Sequence, residues 1–444
     1  MTLKTILIRE NERKSLTPEE LKKLKAYLRK NKLEKRLDVR IDEIKAKNYV
    51  GVIRCKNIQI EILPKYIAKE DAQKDAILAN LIFMLSYTRK LNIDVPSNAT
   101  LNKCANPFLE ILIGEFAKSL FEGLKKFSPK NYIRIEENIG FVKGKIDFSS
   151  NIKHNLTNKA KFYCQFDEFT ENNPINQLFL FVSRALFLIT NNNRNKKTLQ
   201  QIINYYVDID EVYFDKFSIK KIKLTRNQML FEKPFNLAKM FIENSSIDMT
   251  KNKIDNISLI WDMNKLFEEF VYEIMRRNYN FEICAQKGRR LLEDEDENGG
   301  TYRDTKVDIF AKIDKETKIG KETKIVKEKI IIDTKYKEMT TDILRNLCSN
   351  DIYQVSTYCL LHSAKKAVLI YPKWGDDDIN KNFVIRSYEE CNRYKIKGSD
   401  EEDNRYKIKV CNVDLRDSLD RTSVLSIAEE ILGQIENFEV SLLR

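Results

Sequence analysis

The residues best suited to chemistry follow an apolar run near the end of the chain. Ile330, Ile331 and Ile332 precede Asp333, and Lys335 comes two positions later. Consecutive β-branched residues favour a buried strand, and side chains two apart on a strand project to the same side. An aspartate and a lysine that project together can hold a divalent cation and position a water molecule. Asp-x-Lys also arises by chance in a chain that is 32% charged, so other residues must support the site.

Two further carboxylates lie on elements that precede this strand. Residues 262–277 predict a helix with one continuous apolar stripe, and Glu268 falls at the edge of that stripe. Residues 305–313 predict a strand in which Asp308 lies on the face opposite to the apolar residues. A glutamate on a helix is at least as often solvated as functional. The stripe consists of Met263, Leu266, Phe267, Phe270, Val271, Ile274 and Met275.

The chemistry that these groups suit is phosphodiester hydrolysis. Carboxylates from neighbouring strands are hard oxygen ligands that match Mg²⁺, and a bound metal lowers the pKa of a water molecule. Lys335 would orient that water and stabilise the developing charge. Gln354 and Tyr358 lie four apart in a predicted helix over 351–358 and therefore share a face.

The elements before residue 246 are interpreted mostly as scaffold. Helices are predicted at 17–32, 71–91, 108–127, 174–188 and 199–206, and strands at 49–53, 58–62, 132–136 and 143–148. Strand 58–62 alternates polar and apolar residues, which predicts a half-buried strand. The polar stretch 244–256 predicts the main linker.

These elements predict an α/β and α+β multidomain fold. We expect a mixed β/α domain over 1–95, a mainly helical region over 96–245 and a catalytic α/β domain over 246–444.

In the last domain, the repeated Lys-Glu-Thr-Lys-Ile of 315–325 predicts a hairpin tip, and 367–372 predicts a buried strand. The sequence Asn-Arg-Tyr-Lys-Ile-Lys occurs at 392–397 and again at 404–409, which predicts a peripheral hairpin with an exposed charged edge. A helix is predicted at 423–434.

Composition excludes several classes of protein. The 42% hydrophobic content with 24 Phe and 19 Tyr indicates a folded chain. Two histidines and no C-x-x-C pair make a zinc site improbable, and the cysteines are expected to be reduced. No apolar stretch is long enough to span a bilayer, so we expect a cytoplasmic protein without a membrane partner. The net charge of +12 suits a polyanionic partner.

Residues 140–146 contain two glycines, the second followed directly by a lysine, as a phosphate-binding loop does. That loop needs four residues between its glycines and Ser or Thr after its lysine. Here the glycines are separated by three residues and Ile146 follows Lys145. A nucleotide triphosphate therefore has to act through a partner.

The ordered set of motifs resembles the PD-(D/E)xK nuclease superfamily and, more closely, the McrC family. Members of that family are the nuclease subunits of the McrBC modification-dependent, 5-methylcytosine-specific restriction systems. The resemblance runs through most of the chain. The segments that carry it are 50–53, 60–65, 144–147, 167–169, 174–176, 262–271, 306–309, 332–337 and 351–354.

The resemblance implies roles for individual residues. Asp308 and Asp333 would be metal ligands, joined by Glu268 and Thr334, with Lys335 as the catalytic lysine. Gln354 and Tyr358 would lie near the DNA backbone. Val307 stands where the superfamily pattern has proline, a change that leaves the metal ligand in place.

The resemblance also implies a cofactor and partners. The C-terminal domain would be a restriction-endonuclease-like α/β domain that uses Mg²⁺ to cut methylated, double-stranded DNA. The activating partner would be an McrB-like AAA+ GTPase hexamer, the source of any GTP requirement. Residues 96–245 would dock on this partner.

Two other functions fit the same residues. One is a nuclease that works alone or in another restriction system with its own DNA specificity. The other is a non-catalytic adaptor that activates an NTPase, in which the Asp-x-Lys strand is structural. Cleavage of DNA by the isolated chain with Mg²⁺ would favour the first.

Overall fold

A computed structural model describes residues 3–67, 74–88, 90, 107–248, 253–293, 302–319, 322–339, 342, 349–385 and 406–436. The chain has a mixed α/β fold with several sheets. It forms two compact units, each assembled from separate stretches of sequence. The first comprises 1–6, 51–61 and 92–259, and the second 7–50, 62–91 and 260–444.

The strands are β1 Lys4–Arg9, β2 Arg13–Ser15, β3 Leu37–Val39, β4 Glu43–Ala46, β5 Tyr49–Cys55, β6 Ile58–Leu63, β7 Asn131–Ile139, β8 Lys145–Ile146, β9 Phe162–Thr170, β10 Ser245–Asp248, β11 Lys253–Asp262, β12 Glu282–Glu293, β13 Tyr302–Ile319, β14 Glu322–Thr334, β15 Lys366–Pro372, β16 Asn380–Ile385 and β17 Tyr406–Val413. The α-helices are α1 Pro18–Lys30, α2 Lys74–Tyr87, α3 Pro107–Lys126, α4 Phe148–Asn155, α5 Pro174–Ile189, α6 Asn193–Tyr205, α7 Glu232–Glu243, α8 Met263–Asn278, α9 Ser349–His362 and α10 Arg421–Glu436.

The second unit is built on a six-stranded sheet with the order β12-β13-β14-β15-β17-β16. Strands β12, β13 and β14 are antiparallel neighbours, and β14, β15 and β17 run parallel. A parallel neighbour requires a crossover connection, which α9 supplies between β14 and β15. Ile330, Ile331 and Ile332 are fully buried in β14, so the prediction of a buried strand that ends at the chemistry is confirmed.

Helix α8 packs its apolar stripe into the core of this unit. All seven stripe residues are buried, because their spacing places them on one side of the helix. The side chain of Asp262 accepts a hydrogen bond from the N–H of Asn264 and so caps the first turn. This cap fixes where α8 begins, at Met263, five residues before Glu268.

Helix α1 begins as its sequence predicts. The hydroxyl of Thr17 accepts from the N–H of Glu20, and the Glu20 carboxylate accepts from the N–H of Thr17, which forms a capping box. The predicted helices at 108–127, 174–188 and 423–434 are also confirmed, with α3, α5 and α10 in those places. Helix α4 was not predicted from the sequence.

Several predictions of local structure are wrong. All six residues of β6 are buried, since neighbouring strands flank it and both of its faces are covered, so it is not half-buried. Helix α6 starts at Asn193 and not at Leu199, because the side chain of Asn192 caps its first turn. The predicted linker 244–256 contains β10 and β11, which pair as antiparallel strands.

The second copy of the six-residue repeat does not form an exposed edge. Strand β17 lies inside the sheet between β15 and β16, and Lys409 is buried there. Residues 392–397, the first copy, lie outside the described residues. The prediction failed because the repeated sequence does not show which strands pair with β17.

In the described part of the chain, no helix is both long and apolar enough to cross a membrane. The cysteines that the structure describes, namely Cys55, Cys164, Cys284, Cys359 and Cys411, are free thiols.

Candidate active site

A half-buried and a buried aspartate lie close together where β13 pairs with β14, at the end of the two strands away from their hairpin. Asp333 is 0% exposed near the end of β14. Burial, followed by the charge of Asp308, raises the pKa of Asp333 to about 7. Burial also raises the pKa of Asp308, against the hydrogen bonds from Thr334 and the charge of Lys335. Holding two carboxyl groups together in this way lowers the stability of the folded chain. Such raised pKa values are typical of functional sites.

Thr334 holds Asp308 in place. Its backbone N–H and its hydroxyl both donate to Oδ2 of Asp308, at 3.0 and 3.2 Å. Because both donors of Thr334 are directed at the carboxylate, any contribution of Thr334 to a metal would come from its carbonyl oxygen.

Lys335 joins the acids to α9. Its Nζ lies 2.5 Å from Oδ2 of Asp333 and donates to Oε1 of Gln354 at 3.0 Å. The amide of Gln354 in turn donates to the hydroxyl of Tyr358 at 2.7 Å. Burial lowers the pKa of Lys335, but the charge of Asp333 and the contact with it outweigh burial, so the pKa is raised and the lysine stays charged.

Glu268 approaches the aspartates from α8. Burial and then the charge of Asp308 raise its pKa to about 7, and the charge of Asp333 adds to this. Its Oε1 accepts a hydrogen bond from the side chain of Gln286, a residue of β12 with a φ of 51°. A cavity of about 470 Å³ lies beside the pair, lined also by Tyr272 and Lys265.

The structure therefore brings together Asp308, Asp333, Thr334, Lys335, Gln354 and Tyr358, with Glu268 close enough to interact electrostatically. The sequence did not indicate Gln286, because nothing in its position in the chain predicts a contact with Glu268 on α8. It also did not indicate a role for Asp351, whose Oδ2 lies 2.5 Å from Nζ of Lys337 and accepts from the hydroxyl of Tyr371. Lys337 lies two positions after Lys335, as Lys335 lies two after Asp333. This spacing was the feature of the sequence that could have indicated a further acid–lysine pair.

The donor set fits a hard divalent cation held by two carboxylates. Oδ1 of Asp333 is buried and has no hydrogen-bond partner among the described residues, which leaves a lone oxygen for a cation. Within the described residues, no three His, Cys, Asp or Glu side chains are grouped to hold a metal, in keeping with the engagement of Glu268 by Gln286. Mg²⁺ commonly binds through one or two carboxylates, with waters and substrate phosphates as further ligands.

A family model described as McrBC 5-methylcytosine restriction system component matches residues 44–372. This match spans most of the chain and all the candidate site residues. The chain belongs to this McrBC family. No match was found among curated proteins.

Two solved structures are similar to this McrBC-family protein. One is a refined half-complex from a tetradecameric assembly of Thermococcus gammatolerans McrB AAA+ hexamers with bound McrC, with 19% identity and a TM-score of 0.71 over 97% of this chain and 100% of that chain. The other is the McrBC complex of the same organism, with 23% identity and a TM-score of 0.50 over 62% of this chain and 88% of that chain. At these identities the likeness concerns the fold alone.

Proposed function

We propose that this McrBC-family protein is a Mg²⁺-dependent DNA endonuclease subunit of the PD-(D/E)xK type. It cleaves modified, methylated DNA when an McrB-like AAA+ GTPase hexamer activates it. The observation that carries this proposal is the pair of Asp308 and Asp333, the second wholly buried, with Lys335 at 2.5 Å from Asp333. A wholly buried carboxyl group beside a half-buried one, both with raised pKa values, is costly for a purely structural site.

Asp308 and Asp333 would hold Mg²⁺ together with the carbonyl of Thr334. When bound, the metal would supply a water of lowered pKa and polarise the scissile phosphate. Glu268 would become a further ligand of the metal after giving up its hydrogen bond from Gln286.

The other roles belong to the chain's own residues. The Lys335 ammonium donates to the attacking water or to a phosphoryl oxygen and stabilises the charge that develops there. Gln354, held by Tyr358, directs this ammonium toward the acids. Tyr353 and the rest of the exposed face of α9 are available to the DNA backbone.

The docking part for the partner is proposed to lie in residues 96–245. Seven large apolar side chains are more than half exposed on β7, α4, β9 and the loops beside them, which is unusual for a surface without a partner. They are Tyr132, Phe141, Val142, Phe148, Ile152, Leu156 and Phe169. McrC is bound to McrB AAA+ hexamers in the T. gammatolerans assembly, which supports a ring-shaped GTPase as the occupant.

The proposal is tested with the double variant Asp333→Ala, Lys335→Ala, reconstituted with an McrB-like GTPase, GTP, Mg²⁺ and methylated plasmid. Cleavage should be lost while GTP hydrolysis is retained. The matched control is Glu282→Ala, Lys312→Ala, which removes another acid–lysine pair from the same sheet, with a 2.7 Å contact, and should still cleave.

Other results would point elsewhere. If the double variant still cuts the plasmid and remains folded, the proposed active site is wrong. If the wild-type chain cuts DNA without partner and GTP, it is a stand-alone nuclease. If the wild-type complex hydrolyses GTP but never cuts, the chain is a non-catalytic adaptor.

A further inference from the structure

A buried polar contact links the beginning of the chain to the strand end that carries Lys335. Glu10 follows β1 and is 2% exposed. Its Oε2 accepts hydrogen bonds from the hydroxyl of Tyr336 and from the N–H of Lys65, both at 3.0 Å. The Tyr336 hydroxyl also accepts from the N–H of Tyr66 at 3.3 Å. All four residues belong to the second unit.

Tyr336 is anchored by packing as well as by these bonds. Its ring meets Tyr66 edge-on at 5.1 Å and lies 5.8 Å from the ring of Phe267 on α8. Tyr336 is 3% exposed, so its hydroxyl has no access to bulk water as a substitute partner. Loss of the Glu10 contact would leave this hydroxyl with an unused donor in the core.

The position of Tyr336 in the chain makes this contact relevant to the active site. Tyr336 lies directly between Lys335 and Lys337. The backbone N–H of Lys335 donates to the carbonyl of Ile370, and the N–H of Lys337 donates to the carbonyl of Lys335. Beyond Thr334 the strand has ended, so this short segment depends on side-chain anchors. Tyr336 is one of these anchors, through its hydrogen bonds to Glu10 and Tyr66.

We propose that Glu10 and Tyr336 are positioning residues that fix the strand end from which Lys335 reaches Asp333. This inference rests on the proposed function, because the group that they position is the proposed catalytic lysine. Burial raises the pKa of Glu10 to about 8, so the carboxyl group is neutral at pH 7 and acts by hydrogen bonding. A glutamine, which is also neutral and keeps an acceptor oxygen, should replace it.

The test compares Glu10→Gln, Glu10→Leu and Tyr336→Phe with Ile8→Ala, a control that truncates a buried residue of β1, the strand before Glu10. The first readout is independent of cleavage. The full-length variants are treated with N-hydroxysuccinimidyl acetate, and acetylation of Lys335 is followed by peptide mass spectrometry. Glu10→Leu and Tyr336→Phe should release the Lys335 amine from its contact with Asp333, so that it is acetylated about tenfold faster. Glu10→Gln and Ile8→Ala should label at the wild-type rate.

The second readout is cleavage by the complex with the GTPase partner. Glu10→Leu and Tyr336→Phe should lower kcat about tenfold or more with an unchanged KM for DNA, since misplacing a catalytic group affects the chemical step. Glu10→Gln should restore wild-type kcat. Thermal unfolding checks that each variant is folded at the assay temperature.

The outcomes separate this inference from the proposed function. Wild-type labelling in Glu10→Leu and Tyr336→Phe would overturn the positioning role, as would Ile8→Ala behaving like them. The positioning role would also be overturned if Glu10→Gln failed to keep both the wild-type kcat and the slow wild-type rate of labelling. If the labelling follows the expected order but the wild-type complex never cuts DNA, the positioning role stands and the nuclease proposal fails.

Discussion

The amine of Lys335 lies 2.5 Å from Oδ2 of Asp333, with the acid wholly buried and the lysine partly so. This ion pair is formed by residues two apart, across the point where β14 ends. Burial, followed by the charge of the second acid, Asp308, keeps the pKa of Asp333 high in spite of the lysine. The site therefore combines several carboxyl groups with the ammonium of Lys335, which contacts one of them.

The stability of the metal-free chain should fall as the pH rises. The pKa of Asp333 increases from 3.8 to about 7 on folding, so the folded state binds this proton more tightly than the unfolded state. The resulting stabilisation is fully present below the unfolded pKa and is lost as the pH rises through about 7. Urea unfolding in EDTA at pH 5 and pH 8 should show a loss on the order of 1–3 kcal/mol from this group.

Asp333→Asn should remove that part of the pH dependence. Asp314→Asn, which changes an exposed acid of β13, is the control and should behave as wild type. An unchanged difference between pH 5 and pH 8 in Asp333→Asn would show that Asp333 does not titrate in this range.

Cleavage should increase with pH around neutrality. Glu268, with a pKa of about 7, and Asp333 must lose their protons to hold a cation. The single-turnover rate should therefore rise about tenfold between pH 6 and pH 8. Glu268→Gln should lower the rate at pH 8 and flatten the profile. Glu269→Gln, a change in the neighbouring residue that pairs with Lys90, should leave the profile unaltered; an equal effect of both would argue against a role for Glu268.

Gln354→Leu should reduce kcat about tenfold while DNA binding is retained. The Lys335 amine would lose its 3.0 Å acceptor on α9, and a small displacement of a catalytic group is costly. Steady-state cleavage and DNA-binding anisotropy separate the two effects. Tyr353→Leu changes the preceding residue, which is exposed, and is the control. If the loss of activity came only from an altered contact with DNA, both variants would raise KM.

Asn80→Ala should destabilise the second unit by about 3 kcal/mol. The Asn80 amide donates to the carbonyls of Ile67, Leu415 and Asp417, and its oxygen accepts from the N–H of Leu419. Truncation leaves these buried backbone groups without a partner. Urea unfolding measures the loss, and Ser86→Ala in the same helix is the control. A change below about 1 kcal/mol would mean that water replaces the amide.

Phe148→Ser with Ile152→Ser should weaken binding to an McrB-like GTPase about tenfold or more, as expected for apolar anchors at an interface. The two side chains are 71% and 65% exposed, so the melting temperature should not change. Leu188→Ser, on α5 of the same unit, is the control. Analytical ultracentrifugation of the reconstituted complex gives the measurement, and undiminished assembly would place the docking surface elsewhere.

The sequence by itself determined the local elements and the types of residue at the site. The stripe of α8 and the isoleucines of β14 specify a helix and a buried strand through spacing alone, because burial on one side or two imposes a period. The short interval between Asp333 and Lys335 likewise made their contact predictable.

Only the tertiary structure decided which distant groups share this space. Gln286 meets Glu268 across a helix and a strand, and Glu10 meets Tyr336 across 326 positions of sequence. The polar residues Gln59 and Glu61 are buried because other parts of the chain cover the face of β6 on which they lie. Spacing reports the face on which a residue lies, whereas burial and pKa depend on what the rest of the chain places against that face. For Asp333, that surrounding structure supplies Asp308 and the ammonium of Lys335.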